Sequence, residues 1–316
     1  MRIAEHLSET GRERFANCGT WLEMKADKDL KIVKLNRANF CTNRFCPMCA
    51  WRKSIKEAMR ISVLMDYIEA EHDKVFIMVT LTAPNVSGEA LVREINKYNK
   101  AFKEFARSAE IRAMNRGYIR KLEITYSEKR NDYHPHFHVV FAVDKQYFKR
   151  SGGTYITHER WRDLWREAMG DDSIKMLRVE RLKKVGEEQI KNGEIRQSSA
   201  ANEIAKYAAK DADYGHSQEV FDAFYMALKG RQIITHNGLF AASNKLYKAG
   251  ELDSYIKADK TEYYWVLEYG WMGQVYDEKV RRKIKDGDLY DEGVKRGQKR
   301  NMSKRIRGPN ARKSYG

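Results

Sequence analysis

The segment of residues 75–82 places the strongest constraint on the fold. It is almost entirely apolar or β-branched, and Pro84 follows it closely, which is typical of a central buried strand. Residues 88–116 carry an apolar side chain every three or four positions, which predicts an amphipathic helix. Two further strand-like runs, residues 117–126 and 134–143, are joined by a polar segment and predict a β-hairpin. A helix is predicted over residues 156–169, a strand over 175–184 and an Ala-rich helix over about 200–213. The resulting order, β, α, β, β, α, β, α, predicts an α+β fold with a mostly antiparallel central sheet and helices packed on it.

Composition divides the chain into four segments. Residues 1–53 contain all four cysteines and predict a small zinc-binding segment, and residues 54–216 predict the main core. Residues 217–278 predict a C-terminal α/β extension. From residue 279 to residue 316 charge is dense and apolar residues are few, which predicts a flexible basic tail.

The formal net charge of the chain is +16. Surface Lys and Arg release counterions from phosphate backbones, so a nucleic acid is the expected partner. No apolar run approaches the length of a membrane-spanning helix, and the first residues are polar and of mixed charge, unlike a secretory signal. We therefore expect no membrane partner and a cytoplasmic location.

A metal site is predicted at the second strand of the hairpin. His136 and His138 are two positions apart, so their imidazoles project from the same face of the strand and can share one ion. Glu123 lies between apolar Leu122 and Ile124, so it faces the other side of its strand and can lie across from the histidines. Two imidazoles and a carboxylate leave positions for phosphate oxygens and suit Mn²⁺ or Mg²⁺. Ordinary surface histidines and an oxygenase-type redox site are the alternatives.

A second group of candidate residues lies on a predicted Ala-rich helix. Glu203, Tyr207, Lys210 and Tyr214 recur at helical spacing and share one face. A tyrosine hydroxyl has a pKa of about 10 in free peptides, so it needs help to act as a nucleophile. Lys210 could stabilise the phenolate or the charge that develops on a phosphate, and Glu203 could activate water. The alternative is a half-buried ring beside solvated charges.

The four cysteines predict a structural zinc site. Cys46 and Cys49 form a tight CxxC pair, Cys41 lies five residues before it, and Cys18 lies further upstream. In a reducing compartment such cysteines hold a metal more often than they form disulfides. Four thiolates would complete the tetrahedral coordination of a structural Zn²⁺ ion.

Together these motifs resemble those of the rolling-circle replication initiators of small bacterial plasmids, which belong to the His-hydrophobe-His (HUH) endonucleases. Residues 76–82 resemble the first motif of that family, a strand of the catalytic sheet. His-Pro-His-Phe-His at residues 134–138 resembles the second, which carries the metal ligands, and residues 203–214 resemble the third, which carries the nucleophile. The cysteine-containing residues 41–53 are also similar to the family's amino-terminal segment.

The resemblance implies the HUH endonuclease fold and a metal-dependent DNA nickase and strand transferase. By position, Tyr207 would be the nucleophile and Glu203 the base that ends the cycle, with Tyr214 an outside candidate. Such a protein nicks single-stranded or hairpin DNA at the plasmid's double-strand origin, forms a 5′-phosphotyrosine link and frees a 3′-OH primer. The chain contains no helicase-type phosphate loop, so a host helicase and a host DNA polymerase are the expected further partners.

Two other functions fit the same motifs. One is a transposase of the HUH class, which shares the metal site and the tyrosine and differs in the DNA that it cuts. The other is a non-catalytic, zinc-containing DNA-binding regulator, in which the histidines and tyrosines are structural.

Overall fold

The structure is a computed structural model that describes residues 2–149, 153–182, 201, 204–205, 211–256 and 259–289. Its helices are α1 (Glu9–Ala16), α2 (Pro47–His72), α3 (Gly88–Arg107), α4 (Ala109–Met114), α5 (His158–Met169), α6 (Asp211–Tyr214), α7 (Gln218–Leu228) and α8 (Gly238–Ala249). Its strands are β1 (Trp21–Ala26), β2 (Val33–Ala38), β3 (Lys74–Thr82), β4 (Gly117–Ser127), β5 (Asp132–Asp144), β6 (Leu177–Arg181), β7 (Ile234–Asn237), β8 (Trp265–Trp271) and β9 (Tyr276–Lys283). The chain divides into two compact units, Met1–Arg12 with Thr42–Asn244, and Glu13–Cys41 with Lys245–Gly316.

The larger unit is built on an antiparallel sheet with the strand order β6-β3-β5-β4-β7. The apolar run of residues 75–82 lies in β3, which pairs with β5 on one side and β6 on the other. The predicted hairpin forms β4 and β5, joined by a tight polar turn in which Asn131 has a φ of 50°. This combination of antiparallel strands and helices confirms the predicted α+β class.

One face of this sheet packs against α3 and α5. Phe137 of β5 lies 5.5 Å from the ring of Tyr98 and 5.7 Å from the ring of Phe102, both on α3. Trp165 of α5 contacts the same Tyr98 ring at 5.6 Å. Successive side chains of a strand point to opposite faces, so this packing of Phe137 directs both neighbouring histidines to the other face of the sheet.

The other face of the sheet is apolar at one end of β3 and polar at the other. At one end Phe76 contacts Phe240 of α8, with ring centroids 5.9 Å apart, and this end is apolar. At the other end Thr80 pairs with His138 and Thr82 pairs with His136. The sheet therefore presents polar side chains at the end where the predicted metal ligands lie.

The predicted helix over residues 88–116 is two helices. Ser108 separates them with an extended backbone (φ −55°, ψ 149°). Its hydroxyl donates to the carbonyl of Phe105, and a serine that bonds its own backbone in this way competes with the helical hydrogen bonds. The break re-aims the chain, so that Ile111 and Met114 of α4 are buried as well.

The smaller unit contains an antiparallel sheet with the order β2-β1-β8-β9. β8 and β9 form a hairpin within and beyond the predicted C-terminal extension, and Gly273 adopts a φ of 92° where the chain reverses between them. Residues 279–283, which the sequence placed at the start of the basic tail, belong to β9. The rest of that predicted tail, from residue 290, lies outside the described residues.

Candidate metal centre

The structure brings Glu123, His136 and His138 together. Glu123 of β4 is directly opposite His136 of β5, and the three residues are only 6 to 8% exposed. Each offers a ligand atom, and these atoms all lie within 4.8 Å of one another. The group could therefore hold a metal ion, and its location follows from the hairpin register.

Hydrogen bonds to the histidines orient both rings. Nδ1 of His136 lies 3.1 Å from the carbonyl oxygen of His134, and Nδ1 of His138 lies 3.2 Å from Oγ1 of Thr80. A carbonyl can only accept, so His136 carries its proton on Nδ1 and presents the lone pair of Nε2. Partners of this kind on the non-ligating nitrogen are usual around metal-bound histidines.

A buried lysine completes the group. Lys121 is 0% exposed, and its Nζ donates to Oε2 of Glu123 at 2.6 Å. Burial acts to raise the pKa of Glu123, but the hydrogen bond from His138 and the charge of Lys121 outweigh it, so the pKa lies well below its usual range. Glu123 is thus held as a carboxylate, the form that binds a cation.

The donor set fits a hard divalent ion. Two neutral imidazoles and one carboxylate leave coordination positions for water and phosphate oxygens, as Mn²⁺ or Mg²⁺ requires. The group contains no thiol, and a thiol ligand would have favoured a softer ion. The three residues could therefore hold such an ion.

Loss of Lys121 should destabilise the fold. Lys121→Met leaves the Glu123 carboxylate buried without its cation, and we expect the free energy of unfolding to fall by about 3 to 5 kcal/mol. Urea unfolding of the metal-free protein measures the change. Adding Glu123→Gln to Lys121→Met should recover most of the lost free energy of unfolding. Lys279→Met is the control: it breaks an exposed ion pair with Asp277 and should have little effect. Equal losses in the Lys121 and Lys279 variants would contradict the ion-pair account.

The metal-free protein should also lose stability between about pH 6.5 and pH 4 because of His136. Burial and the neighbouring His138 lower the pKa of His136 from 6.5 to about 4, although Glu123 opposes them. In this interval the unfolded chain binds a proton that the folded chain does not, so unfolding becomes easier as the pH falls. The pKa difference corresponds to a loss on the order of 3 kcal/mol. Urea unfolding of wild type and of His136→Gln across this pH range tests the prediction. If the free energies of unfolding of the two proteins change in parallel with pH, His136 is not the cause of the loss.

The predicted catalytic helix is largely outside the described residues, and this includes Glu203, Tyr207 and Lys210. Tyr214 is described and is buried. Its hydroxyl donates to the carbonyl of Phe45 at 3.3 Å, and its ring packs edge-on against Phe45 and Phe221. Tyr214 therefore acts in the packing of the core. Beside it, the Asp213 carboxylate accepts from the amide of Tyr126 at 3.3 Å, which ties α6 to the end of β4.

The four cysteines form the second group that could hold a metal ion. The sulfur atoms of Cys18, Cys41, Cys46 and Cys49 lie within 4.8 Å of one another. Cys46 and Cys49 are buried, and Cys18 and Cys41 are half-buried. Cys46 is the N-terminal capping residue of α2, with Pro47 following it in the first turn. Four thiols at this spacing could bind zinc.

An antiparallel sheet that presents a buried Glu-His-His group, in a chain of net charge +16, defines an α+β protein with a candidate divalent-metal centre. Comparison with known proteins narrows this class. The model of the replication protein family Rep_1 matches residues 32–277. The chain belongs to this family of replication proteins, which confirms its resemblance to the plasmid replication initiators.

Individual relatives agree with the family match. The chain is 43% identical over 214 residues to a protein rep of Staphylococcus aureus, which covers 67% of this chain and 87% of the relative. It is 33% identical over 255 residues to a protein rep of Bacillus amyloliquefaciens, covering 76% of this chain and 74% of the relative. A protein rep of Streptococcus pneumoniae is 30% identical over 262 residues, or 80% of this chain and 79% of the relative. No solved structure matches the chain.

Helices suited to a lipid bilayer are not found in the part of the chain that the structure describes: each is too short or too polar to span it.

Two residues of the metal centre were not predicted from the sequence. Lys121 has a detectable signal, because it is two residues before Glu123 on the same strand and so shares its face. Thr80 has none, because its contact with His138 depends on the pairing of β3 with β5.

Proposed function

We propose that this chain is a plasmid rolling-circle replication initiator that nicks single-stranded DNA at the double-strand origin by tyrosine attack. The observation that carries the proposal is the buried group of Glu123, His136 and His138, with its ligand atoms within 4.8 Å, in a member of a replication protein family. The family match favours an initiator over a transposase. We propose that the larger unit is an HUH endonuclease domain.

In the proposed reaction the hydroxyl oxygen of Tyr207 attacks the scissile phosphorus. A bond forms between this oxygen and phosphorus, and the bond from phosphorus to the 3′ oxygen breaks. The tyrosine loses its proton and the departing 3′ oxygen gains one, so one phosphodiester replaces another and the step is reversible. The nick thus stores its bond energy in a 5′-phosphotyrosine link and leaves a free 3′-OH primer.

The other residues have separate tasks in this scheme. Glu123, His136 and His138 would hold Mn²⁺ or Mg²⁺, which supplies charge that polarises a non-bridging phosphate oxygen. Lys210 stabilises the phenolate and the charge that develops on the phosphate. Glu203 removes a proton from the water or hydroxyl that attacks the phosphotyrosine, which ends the cycle. A host helicase and a host DNA polymerase would then unwind and extend the nicked strand.

A doubly labelled oligonucleotide from the origin of the plasmid that carries the gene tests the proposal. With Mn²⁺, the label on the 3′ side of the nick should migrate with the protein on a denaturing gel, and the fragment with the 5′ label should be released. Once that fragment is annealed to a complementary template, a DNA polymerase should extend it, which shows a free 3′-OH. EDTA should prevent both nicking products. If neither label becomes protein-linked at any tested Mn²⁺ or Mg²⁺ concentration, the chain does not nick by this route.

We also propose that Cys18, Cys41, Cys46 and Cys49 bind a structural Zn²⁺ ion. Cys46→Ser should reduce the bound zinc from about one ion per chain to none and lower the melting temperature by about 10 °C or more. Elemental analysis and thermal unfolding measure the two effects. Cys46→His supplies another zinc donor and should retain part of the metal. Zinc content unchanged by Cys46→Ser would remove this cysteine from the ligand set.

A further inference from the structure

The β4–β5 hairpin extends past the candidate metal centre in both directions, and the two directions differ. Toward the start of β4, the next cross-strand pair on the ligand face is Ile119 and Val140, and both side chains are 0% exposed. Toward the turn, the next pair is Thr125 and His134, and both are half-buried. Along this hairpin, a polar ligand at the metal centre can therefore extend toward the turn but not toward the start of β4.

Thr125 and His134 lie on the same face as the proposed metal ligands. Thr125 is two residues after Glu123 and His134 is two residues before His136, so the alternation of each strand directs them to that face. The rings of His134 and His136 lie 5.1 Å apart with their planes at 27°. Directly opposed residues have Cβ atoms about 5 Å apart, so one small group can contact both Thr125 and His134. We call these two residues the donor pair.

The donor pair has unused hydrogen-bonding capacity. Among the described residues, neither the Thr125 hydroxyl nor a ring nitrogen of His134 has a hydrogen-bond partner. Their neighbours on this face are engaged: Lys121 donates to Glu123, and Nδ1 of His136 donates to the carbonyl of His134. An imidazole carries an N–H in either tautomer and a hydroxyl can donate as well, so the donor pair offers two hydrogen bonds to one acceptor.

The location of the donor pair suits a phosphate of a bound strand. Two residues of a β-strand span about 7 Å, which is close to the spacing of successive phosphates in an extended single strand. A phosphate at an ion held by Glu123 and His136 would therefore bring its neighbour to the donor pair, and threonine hydroxyls are common donors to DNA phosphates. At the next pair toward the turn, Asp132 is a carboxylate, which only accepts hydrogen bonds. The donor pair is thus suited to a single phosphate.

We propose that Thr125 and His134 form a phosphate-binding subsite for single-stranded DNA, which holds the phosphodiester next to the one at the metal centre. The subsite rests on the proposed function, because its occupant is the strand that the chain would nick. Thr125 and His134 make and break no covalent bond there. They act by position: a phosphate held beside the ion fixes which phosphodiester lies at the ion.

The test measures how tightly the full chain binds a single-stranded origin oligonucleotide, by fluorescence anisotropy with Mn²⁺. All proteins carry Tyr207→Phe, so that the strand is not cut. One methylphosphonate, in which a methyl group replaces a charged phosphate oxygen, is moved along the oligonucleotide position by position. Two adjacent positions should each weaken binding by about tenfold, one because it removes the contact with the ion and the other because it removes the acceptor of the donor pair.

Thr125→Val combined with His134→Phe removes both donors and keeps the branched side chain and the stacked ring. This double variant should bind the unmodified oligonucleotide about tenfold more weakly. It should lose its sensitivity to the methylphosphonate at one of the two positions and keep it at the other, where the ion is the contact. Titration with Mn²⁺ in the absence of DNA should give the affinity of the parent protein, because the donor pair supplies no ligand. Thr125→Val alone should produce part of each effect on DNA binding.

Thr235→Val combined with His72→Phe makes the same two chemical changes elsewhere in the larger unit. Thr235 lies opposite Arg120, whose guanidinium covers the Phe137 ring on the other face of the sheet, and His72 is the last residue of α2. This control variant should bind every oligonucleotide as the parent protein does. Thermal unfolding followed by circular dichroism checks that all variants are folded.

The subsite is excluded if the double variant binds the unmodified strand as tightly as the control variant does, or stays sensitive at both positions. A fall in Mn²⁺ affinity without DNA would make the donor pair part of the metal centre and would overturn the proposal as well. Binding of the single strand without two adjacent sensitive positions would reject the subsite and leave the proposed function standing. Absence of any binding to the origin strand would reject both.

Discussion

Tyr207→Phe is expected to abolish the covalent adduct with origin DNA and to slow nicking by at least about a thousandfold. The substitution removes one oxygen, the atom that would bond to phosphorus, and keeps the ring. The proposed metal ligands lie on β4 and β5, so Mn²⁺ affinity should remain at the wild-type value. Denaturing gels of the labelled oligonucleotide measure the adduct, and titration with Mn²⁺ measures the affinity.

Tyr214→Phe is the matched control. The Tyr214 hydroxyl is buried and donates to the carbonyl of Phe45, so its removal should lower stability slightly and leave the adduct in place. Adduct that survives in Tyr207→Phe but disappears in Tyr214→Phe would reverse the assignment. Adduct that survives in both variants would exclude either tyrosine as the nucleophile.

His138→Ala is expected to weaken Mn²⁺ binding by at least about a hundredfold, because loss of an outer partner of a ligand already costs ten- to a hundredfold. It removes one of the three proposed protein ligands and leaves a space beside Glu123, whose Oε2 lies 3.4 Å from Nε2 of His138. Adduct formation at limiting Mn²⁺ should fall with the affinity. Calorimetric titration with Mn²⁺ and the labelled-oligonucleotide gel measure the two effects.

Two further variants should have smaller effects on Mn²⁺ affinity than His138→Ala. Thr80→Val removes the partner of the His138 Nδ1 atom and should cost about tenfold in Mn²⁺ affinity. His72→Ala changes a histidine at the end of α2 and should cost nothing. If His138→Ala binds Mn²⁺ as tightly as His72→Ala does, the ion does not bind at the β4–β5 hairpin.

The metal centre could be predicted largely from the sequence because its parts are close in the chain. Glu123 and the two histidines belong to one hairpin, and a hairpin is indicated by two alternating runs with a polar turn between them. The period of two then decides which side chains share a face. Lys121 lies two residues before Glu123 and so shares its face of the strand. Lysines are seldom fully buried, so its residue type predicts a surface position, whereas the structure buries it.

Features that depend on distant parts of the chain could not be predicted in this way. The pairing of β3 with β5 brings Thr80 to His138 across 58 residues of sequence. The pairing of β1 with β8 joins residues near the two ends of the chain, and no local pattern selects that partner. The break at Ser108 is local, but a hydroxyl that bonds to the preceding turn is not part of the apolar period from which the helix was predicted.

The sheet of the smaller unit also imposes an order on how the protein is made. A ribosome delivers β1 and β2 before the strands of the larger unit, whereas β8 and β9 emerge after them. Until then one edge of β1 has no strand beside it, and an exposed edge readily pairs with another chain. The β4–β5 hairpin and its three predicted ligands are synthesised well before that point. A chain truncated before β8 would therefore contain the complete β4–β5 hairpin but leave one edge of β1 unpaired. Such an edge favours aggregation with other chains.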